Sequence, residues 1–346
     1  MVRVGSFGRR IGHDRGLLLG FSALLLVVLV DAISGVQLTG AYASGAIVAS
    51  MLTSAKRTAL VAFAAVSAAL LGGLWSGNIG SRDWGIRALT CAALAGLAVV
   101  SATIRERREA RLRRMTLIAE TAQHAVLRSM PTAVGSVGFA ARYVSATAEA
   151  LIGGDLYEVA ATPYGVRVIV GDVRGKGLGA VRTAASVLGA FRQAAFIEAD
   201  LAVLAGVIDE VVTKLVDDEE FITAILAEFH EGRVVLVNCG HHPPALLAGE
   251  DRALTDTGEP ALPLGLGTQP ELSEHAWSAG ARMLFYTDGL IEARNKQGDF
   301  FPLEDYLHTM LTESVEDALN HLVDQLMRHT GDQMRDDMAL VLAEHR

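Results

Sequence analysis

Long apolar stretches fill the first third of the chain, whereas short alternating ones fill the rest. Four apolar stretches, at residues 17–34, 38–54, 58–75 and 86–104, have about the length that crosses a bilayer. The second is rich in Ala, Gly and Ser, which is typical of helices that pack closely against each other. The pattern therefore predicts four membrane-spanning helices.

Beyond Pro131 the apolar runs become short and are separated by Gly, Pro and Asp. Several adjoin through hairpin-length connections, which favours antiparallel sheets flanked by helices over a series of parallel units. The predicted fold class is an all-α transmembrane four-helix region followed by an α+β domain. The predicted strands are 137–144, 155–162, 165–171, 221–229, 233–238, 244–248, 282–287 and 338–343, and the predicted helices are 178–197, 200–216 and 303–329.

A helical pattern connects these two parts, running on from Ile104 until Pro131 stops it. We therefore divide the chain into a membrane region at 1–104, a helical linker at 105–131 and a C-terminal domain at 132–346. Apolar linker residues alternate spacings of three and four, as in a short heptad seam. The seam favours either a homodimer through the linker helix or packing against the following domain. Its members are Leu112, Met115, Ala119, Ala122 and Val126.

Charge also separates the two parts. Residues 1–115 contain fourteen Lys and Arg against five Asp and Glu, a net +9, whereas residues 116–346 contain sixteen against thirty-four, a net −18. The acidic part has no basic stripe interleaved with aromatic residues, so we expect no nucleic-acid binding, and cations are the more natural partners. The chain has only two cysteines, and they lack C-x-x-C spacing, so we expect neither disulfides nor a structural zinc site. This cysteine usage is typical of a protein in a reducing cytoplasm.

Basic residues cluster before the first predicted span, between the second and third, and after the fourth. Because Lys and Arg collect on the cytoplasmic side of short loops, all three clusters fall on one side if the N-terminus is inside. We therefore expect a multi-pass protein of the cell inner (plasma) membrane, with its N-terminus and C-terminal domain in the cytoplasm. A cleaved signal peptide at 1–35 is the weaker alternative, since three further spans remain. Asp31, near the outer end of the first span, is interpreted as an interfacial residue.

Four Asp residues stand beside turn residues at the ends of predicted strands. The clearest case is Gly171–Gly177, where Asp172 follows an apolar run and lies in a glycine-rich turn. Any single Asp in such a turn could serve only as a helix cap. Four carboxylates in an acidic domain favour a hard-cation site, and oxygen-only ligands favour magnesium or manganese over zinc. The four are Asp155, Asp172, Asp288 and Asp336.

Six short motifs, in order within about residues 120–345, resemble the signature blocks of the bacterial PP2C-like serine/threonine phosphatases of the SpoIIE/RsbU type. The resemblance implies a PP2C-like α-β-β-α sandwich, in which helices flank two antiparallel sheets. It does not extend to the membrane region. The motifs are Gly153–Glu158, Gly171–Gly177, Cys239–Pro244, Leu264–Leu266, Tyr286–Arg294 and Asp336–Met338.

The resemblance also implies a two-metal site. Two Mn²⁺ or Mg²⁺ ions would be bridged by Asp172, and a water that they activate would attack phosphorus without a phosphoenzyme. Whether Asp336 or Asp337 supplies the last carboxylate is left open. The implied ligands are Asp155, Asp172, the backbone carbonyl of Val173, Asp288 and Asp336.

The implied activity is that of a membrane-anchored, metal-dependent protein phosphatase. Its substrate would be phosphoserine or phosphothreonine on a regulatory protein, such as an anti-sigma-factor antagonist. One alternative is a catalytically silent membrane scaffold of the same fold, against which the retained carboxylates argue. Another alternative is a membrane diguanylate cyclase, because Gly153–Tyr157 superficially resembles the GGDEF turn of those enzymes. However, the acidic fourth residue of that turn is missing, and this alternative leaves the other motifs unexplained.

Other polar residues in these motifs have competing interpretations. His241 and His242 are interpreted as parts of a structural turn rather than as ligands or a general acid. Arg174 stands where the family often has a small residue, and it is a candidate contact for substrate phosphate. Lys176 is assigned to the turn, because a Walker loop needs four residues between its glycines and a Ser or Thr after the Lys.

Overall fold

The computed structural model divides the chain into two compact units, Met1–Arg114 and Met115–Arg346. From the N-terminus, the first helices are α1 (Phe7–Ser34), α2 (Ser44–Leu52), α3 (Ala55–Trp75) and α4 (Arg82–Val126), with a 3-10 turn at Thr39–Ala43 before α2. The residues that the structure describes are 7–34, 38–75, 77–145, 153–216, 220–249, 251–259, 261–311, 313–331, 334 and 336–346.

Three of these helices are long and apolar enough to cross a membrane, namely Arg15–Ser34 within α1, Ala55–Leu74 within α3 and Arg82–Gln123 within α4. The second predicted span, 38–54, is shorter than expected. Thr39–Leu52 forms a 3-10 turn followed by a nine-residue helix, because the glycines in this segment disfavour one long helix. Four helical segments are thus present as predicted, and three of them have the length of spans.

Close backbone contacts align Thr39–Leu52 antiparallel to α1. A Cβ added to Gly45 would lie 2.6 Å from the Gly20 carbonyl oxygen, and a Cβ added to Gly16 would lie 2.8 Å from Leu52 Cβ. Glycine permits this approach, as small residues do between membrane helices. The segment therefore returns to the end of α1 at which Gly16 lies.

Polar side chains fix both ends of this helix pair. Asp31 accepts hydrogen bonds from the backbone N–H of Leu38 and from the Tyr42 hydroxyl, at the start of the returning segment. At the other end, the Arg105 guanidinium donates a hydrogen bond to the Thr53 carbonyl. Asp31 thus has local structural partners, and the basic cluster of α4 begins beside the end of α2.

The second unit is built from antiparallel strands and flanking helices. The strands are β1 (Ala133–Val134), β2 (Val137–Val144), β3 (Leu156–Thr162), β4 (Gly165–Val173), β5 (Ile222–His230), β6 (Gly232–Cys239), β7 (Ala245–Ala248), β8 (Asp251–Leu254), β9 (Leu272–Trp277), β10 (Arg282–Tyr286) and β11 (Met338–His345). The helices are α5 (Leu178–Ala194), α6 (Leu201–Thr213), α7 (Asp288–Ile291), α8 (Leu303–Tyr306) and α9 (Val315–Thr330). The first sheet has the order β1-β2-β11-β10-β7-β8, and the second has the order β3-β4-β5-β6-β9.

Alternation along the strands places hydrophobic core on both faces of the first sheet. In β10, Met283 and Phe285 join the larger core, which includes residues of both sheets and of α5 and α6. Leu284 and Tyr286 point the other way and join the core formed with α9. Because side chains alternate with a period of two, one strand serves both cores. The layers are α5 with α6, the second sheet, the first sheet and α9, which confirms the predicted sandwich.

The structure departs from the predicted elements in one helix and in three strands. The predicted helix 303–329 is divided into α8, a 3-10 turn at Leu307–Leu311 and α9. The Ser314 hydroxyl starts α9 by accepting a hydrogen bond from the Asp317 N–H at 3.2 Å. Strands β1, β8 and β9 are not among the predicted strands, since β1 and β8 have only two and four residues and only the last side chain of β9 is fully buried.

A fully buried arginine joins the second sheet to its helix layer. Arg167 of β4 has a side chain that is 0% exposed and donates a hydrogen bond to Glu228 of β5 at 2.5 Å. It also donates to the carbonyls of Ala195 and Ala199 between α5 and α6, both at 2.8 Å. A buried charge is tolerated only when it is paired and hydrogen-bonded, so these contacts hold the connection between the two helices on the sheet.

Arg167→Ala should destabilise the second unit by about 3–5 kcal/mol, because the Glu228 carboxylate would lose its guanidinium partner and the backbone carbonyls of Ala195 and Ala199 would lose their donor. Arg233→Ala is the matched control, since its pair with Glu274 is solvent-exposed and contributes about 0–1 kcal/mol. Urea unfolding of the purified unit Met115–Arg346 measures both losses. Equally small losses in the two variants would contradict this role of Arg167.

Candidate metal centre

Four aspartates carried by the two sheets come together at the ends of their strands. Asp155 directly precedes β3, and Asp172 is the next-to-last residue of β4. Asp288 opens α7 just after β10, and Asp336 lies two residues before β11. Each of the four carboxylates interacts electrostatically with at least one other. The fold thus brings together the four carboxylates that the sequence singles out.

Burial and mutual repulsion raise the pKa of three of these carboxyls. Burial is the largest cause in each case, followed by repulsion from Asp172 on Asp155 and from Asp288 on Asp172. For Asp288 the next cause is repulsion from Asp336. The pKa of Asp172 rises to about 7, and that of Asp155 rises well above its usual range, although a 2.9 Å hydrogen bond from the Thr287 hydroxyl opposes the rise. These carboxylates can be ionised together only beside a compensating positive charge.

Glycines let the loops that carry these carboxylates approach each other. A Cβ on Gly154 would lie 2.4 Å from Val173 Cβ and 2.7 Å from the Val173 carbonyl oxygen. A Cβ on Gly289, next to the start of α7, would lie 2.0 Å from the Asp337 carbonyl oxygen. No other residue fits at either position. The Val173 carbonyl therefore lies against the turn that carries Asp155.

The adjacent residues Asp336 and Asp337 have different environments. Asp337 is 3% exposed, and its carboxylate accepts a hydrogen bond from the backbone N–H of Gly153. The Asp336 side chain is 45% exposed and accepts a hydrogen bond from Lys176 Nζ at 2.8 Å. The geometry favours Asp336 as the available carboxylate and Asp337 as the anchor of the turn before β3.

Lys176 has a role that sequence reasoning missed. Its turn contains two glycines with positive φ, Gly175 at 113° and Gly177 at 87°, a backbone conformation that residues with a Cβ rarely adopt. The turn brings the Lys176 ammonium to Asp336, 160 residues further along the chain. Its charge also lowers the pKa of Asp172, in opposition to the neighbouring carboxylates.

The two adjacent histidines differ in what they contact. His241 Nδ1 lies 3.0 Å from Thr223 Oγ1, and its Nε2 lies 3.1 Å from the Tyr286 carbonyl oxygen. Burial, with a smaller effect of His242, lowers the pKa of His241 to about 3, so its ring is neutral and internally bonded. These contacts agree with a structural role. The His242 ring stacks on Tyr286 with 6.3 Å between centroids and borders the same cleft as Asp288.

The carboxylates border two shallow clefts. One, of about 220 Å³, is lined by Asp172, Arg174, Phe221, Thr223, Gly240, His241, His242 and Asp288. The other, of about 190 Å³, includes Glu292 and Asp336. Either cleft could admit a phosphorylated side chain, but both are smaller than ordinary sites that enclose a whole small molecule. The arrangement suits a charged group presented on the surface of a larger partner.

The last turns of α4 contact the loop before β3. The Gln123 side chain is 5% exposed, and its Nε2 donates a hydrogen bond to the Gly153 carbonyl at 3.3 Å. Ala122 and Val126 pack against the buried Val181 of α5. The final part of the heptad seam therefore packs against its own domain, as one of the two sequence alternatives predicts, whereas the first two seam residues are exposed.

The chemistry of the donor set fits a hard divalent cation. Each of the four side chains offers carboxylate oxygens, which magnesium and manganese prefer. In the part of the chain that the structure describes, no group of three or more Asp, Glu, His or Cys side chains is already arranged to hold a metal ion. A divalent cation would relieve the mutual repulsion of these neighbouring carboxylates.

Comparisons with known proteins agree with this fold. The family model of Stage II sporulation protein E (SpoIIE) matches residues 162–346, which is more than half of the chain. Among solved structures, the RsbU and RsbW domains of a Mycobacterium tuberculosis protein are 25% identical, covering 64% of this chain and 62% of that chain with a TM-score of 0.54.

Two further solved structures share the fold at lower identity. The SiaA-PP2C domain of Pseudomonas aeruginosa is 18% identical, covering 71% of this chain and 99% of that chain with a TM-score of 0.57. The PP2C phosphatase domain of the cell fate determinant SpoIIE from Bacillus subtilis, with a fragment of its regulatory domain, is 17% identical, covering 60% of this chain and 62% of that chain with a TM-score of 0.50. The chain thus spans about 62% of the Mycobacterium and Bacillus structures that it matches.

Asp172→Asn should stabilise the metal-free unit Met115–Arg346 at pH 8 and have little effect at pH 5. A raised carboxyl pKa means that the folded state holds its proton more tightly than the unfolded chain. The stability of the metal-free fold therefore falls as the pH rises from about 4 to about 7. At pH 5 Asp172 is already protonated and resembles Asn in charge, whereas at pH 8 it repels its neighbours.

Thermal unfolding at the two pH values, with and without Mn²⁺, measures this difference. Mn²⁺ should raise the Tm of the wild type more at pH 8 than at pH 5, and should raise the Tm of the variant less. Asp324→Asn, on the exposed face of α9, is the control and should change neither pH dependence nor metal response. The prediction is wrong if Asp172→Asn and wild type differ equally at both pH values.

Proposed function

The chain belongs to the SpoIIE family, and from this premise we propose that it is a membrane-anchored, metal-dependent protein serine/threonine phosphatase. The observation that carries the proposal is the meeting of four carboxylates from two sheets, three of which have raised pKa values. The PP2C phosphatase fold of the solved relatives supports the class of reaction. A catalytically silent scaffold would gain nothing from keeping such a destabilising cluster.

In this proposal the cluster would hold two Mn²⁺ or Mg²⁺ ions, with Asp172 as one of the ligands. When bound, the ions supply Lewis acidity and an activated water for attack on phosphorus. The chain's own residues hold the ligands in place, since Thr287 donates to Asp155 and Lys176 donates to Asp336. The proposed ligands are Asp155, Asp172, the Val173 carbonyl, Asp288 and Asp336.

The shallow cleft supports a protein substrate, because it has room for a phosphorylated side chain while the rest of the partner stays outside. The SpoIIE and RsbU relatives support a regulatory phosphoprotein, such as an anti-sigma-factor antagonist, as that substrate. In the Mycobacterium relative, RsbU and RsbW domains belong to one protein. We therefore place the reaction in a signalling pathway that controls transcription.

The arrangement of α1 and its returning segment supports a multi-pass protein of the inner membrane. Thr39–Leu52 runs back along α1, so the chain has returned to the Arg15 end of α1 by the point where α3 begins. Arg105 contacts that same end of α2 through Thr53. The basic clusters therefore share one side, which we propose is the cytoplasm.

The proposed organisation is a membrane region at 1–104, a linker at 105–131 and a phosphatase domain at 132–346. Since the last seam residues pack within their own domain, a homodimer through the linker would use the exposed Leu112 and Met115.

Full-length protein in detergent micelles should release phosphate from a phosphoserine peptide in the presence of Mn²⁺ and lose this activity with EDTA. Asp172→Asn should lower kcat by more than about 100-fold, because even groups behind a metal ligand cost about 10- to 100-fold when removed. Asp324→Asn should keep full activity. Equal activity in Asp172→Asn, or indifference to EDTA, would exclude the metal mechanism. A folded protein without activity under all conditions would favour the scaffold.

A matched pair of cysteine variants tests the orientation. The two native cysteines are buried, so a membrane-impermeant maleimide should not react with them in intact cells. It should label Ser81→Cys, between α3 and α4, and should label Ser54→Cys only after the cells are permeabilised. Mass shifts of the purified protein measure both reactions. Labelling of Ser54→Cys in intact cells would reverse the proposed orientation.

A further inference from the structure

The cleft beside Asp172 is electrostatically unfavourable for an anionic substrate. Asp172 and Asp288 line it, and both interact with the charge of Asp336. A phosphomonoester carries close to two negative charges near neutral pH. Metal ions would neutralise part of the carboxylate charge, but a fixed cation in the wall would add attraction and orientation. Among the described residues that line this cleft, Arg174 is the one side chain with a permanent positive charge.

The backbone directs Arg174 toward the cleft. Arg174 is the first residue after β4, and its N–H donates a hydrogen bond to the Phe221 carbonyl at 3.0 Å. The pairing of β4 with β5 therefore continues one residue beyond Val173. Side chains two residues apart on a strand point to the same side, so Arg174 projects on the side of Asp172.

An aromatic ring supports the guanidinium. Arg174 Cζ lies 5.1 Å from the centroid of the Phe221 ring, which is within the range of a cation–π contact. Phe221 lines the same cleft. The ammonium of Lys176, a second cation close to the carboxylates, is paired with Asp336. A planar guanidinium can also donate two parallel hydrogen bonds to a phosphoryl group, whereas an ammonium acts as a point charge.

We propose that Arg174 and Phe221 form a phosphate-binding subsite beside the proposed metal ligands. This inference rests on the proposed phosphatase function. The Arg174 guanidinium donates hydrogen bonds to non-bridging oxygens of the substrate phosphoryl group, and the Phe221 ring holds the guanidinium in position. Arg174 thereby contributes to substrate affinity and orientation and does not contribute to metal binding.

The test uses full-length protein in detergent micelles, loaded with Mn²⁺, with inorganic phosphate as the probe in isothermal titration calorimetry. Arg174→Ala should weaken phosphate binding by about 10- to 100-fold, as expected for loss of charge-assisted hydrogen bonds, and should leave Mn²⁺ affinity unchanged. Arg174→Lys should recover part of the affinity. Phe221→Leu should weaken phosphate binding by about 2- to 5-fold. With a phosphoserine peptide, Arg174→Ala should raise KM.

Arg233→Ala is the control, because Arg233 is an exposed β6 residue paired with Glu274 outside the cleft. It should bind phosphate as the wild type does. The subsite is overturned if Arg174→Ala keeps wild-type phosphate affinity, if it loses Mn²⁺ binding in parallel, or if the wild type binds no phosphate. If phosphate binds through Arg174 but the protein releases none from peptides, the phosphatase proposal fails and the subsite stands.

Discussion

The structure depends on holding several like charges together where two sheets meet. Burial and mutual repulsion raise the pKa of Asp155, Asp172 and Asp288, so this edge of the fold is destabilised by its own side chains. The surrounding turns hold these carboxylates together through close backbone packing. Glycine at positions such as Gly154 lets one loop pack directly on the end of another strand, where any side chain would collide. The residues that end the strands are thus also the residues that form the site.

Two buried arginines supply part of the rigidity, one for each helix layer. Arg167 donates to backbone carbonyls between α5 and α6, and Arg282 donates to the carbonyls of Met310 and Glu313 just before α9. Each guanidinium satisfies several acceptors of a connecting loop at once, which its fixed array of donors allows. The helix layers are consequently fixed to the sheets by hydrogen bonds as well as by apolar contact. Strand ends between such layers have little freedom to separate.

Local patterns were sufficient to predict most of the fold and the four carboxylates. Strand β10 is apolar at each position after Arg282 because both of its faces are buried, and an Asp next to Gly at a strand end is visible in the sequence. Edge strand β9 was missed because its exposed side chains resemble those of a loop, and edge strands β1 and β8 were missed because they have only two and four residues. The roles of Asp337 and Lys176 could not be predicted, since they depend on partners 184 and 160 residues away. Spacing along the chain contains no signal for such pairs.

The turn Gly153–Gly154 is the point at which the end of α4 contacts the carboxylate site. The two glycines have no side chains that could fix the turn. Three contacts from other parts of the chain instead restrain it, directly before Asp155. Asp337 binds its first N–H, its second residue packs against Val173, and Gln123 of the linker binds its first carbonyl at 3.3 Å. The first two contacts are made by residues next to or within the strands, namely Asp337 just before β11 and Val173 at the end of β4. The third is a single long hydrogen bond, whose net contribution is about 1 kcal/mol. Of the three contacts, the one made by α4 is therefore the weakest restraint on the turn that precedes Asp155.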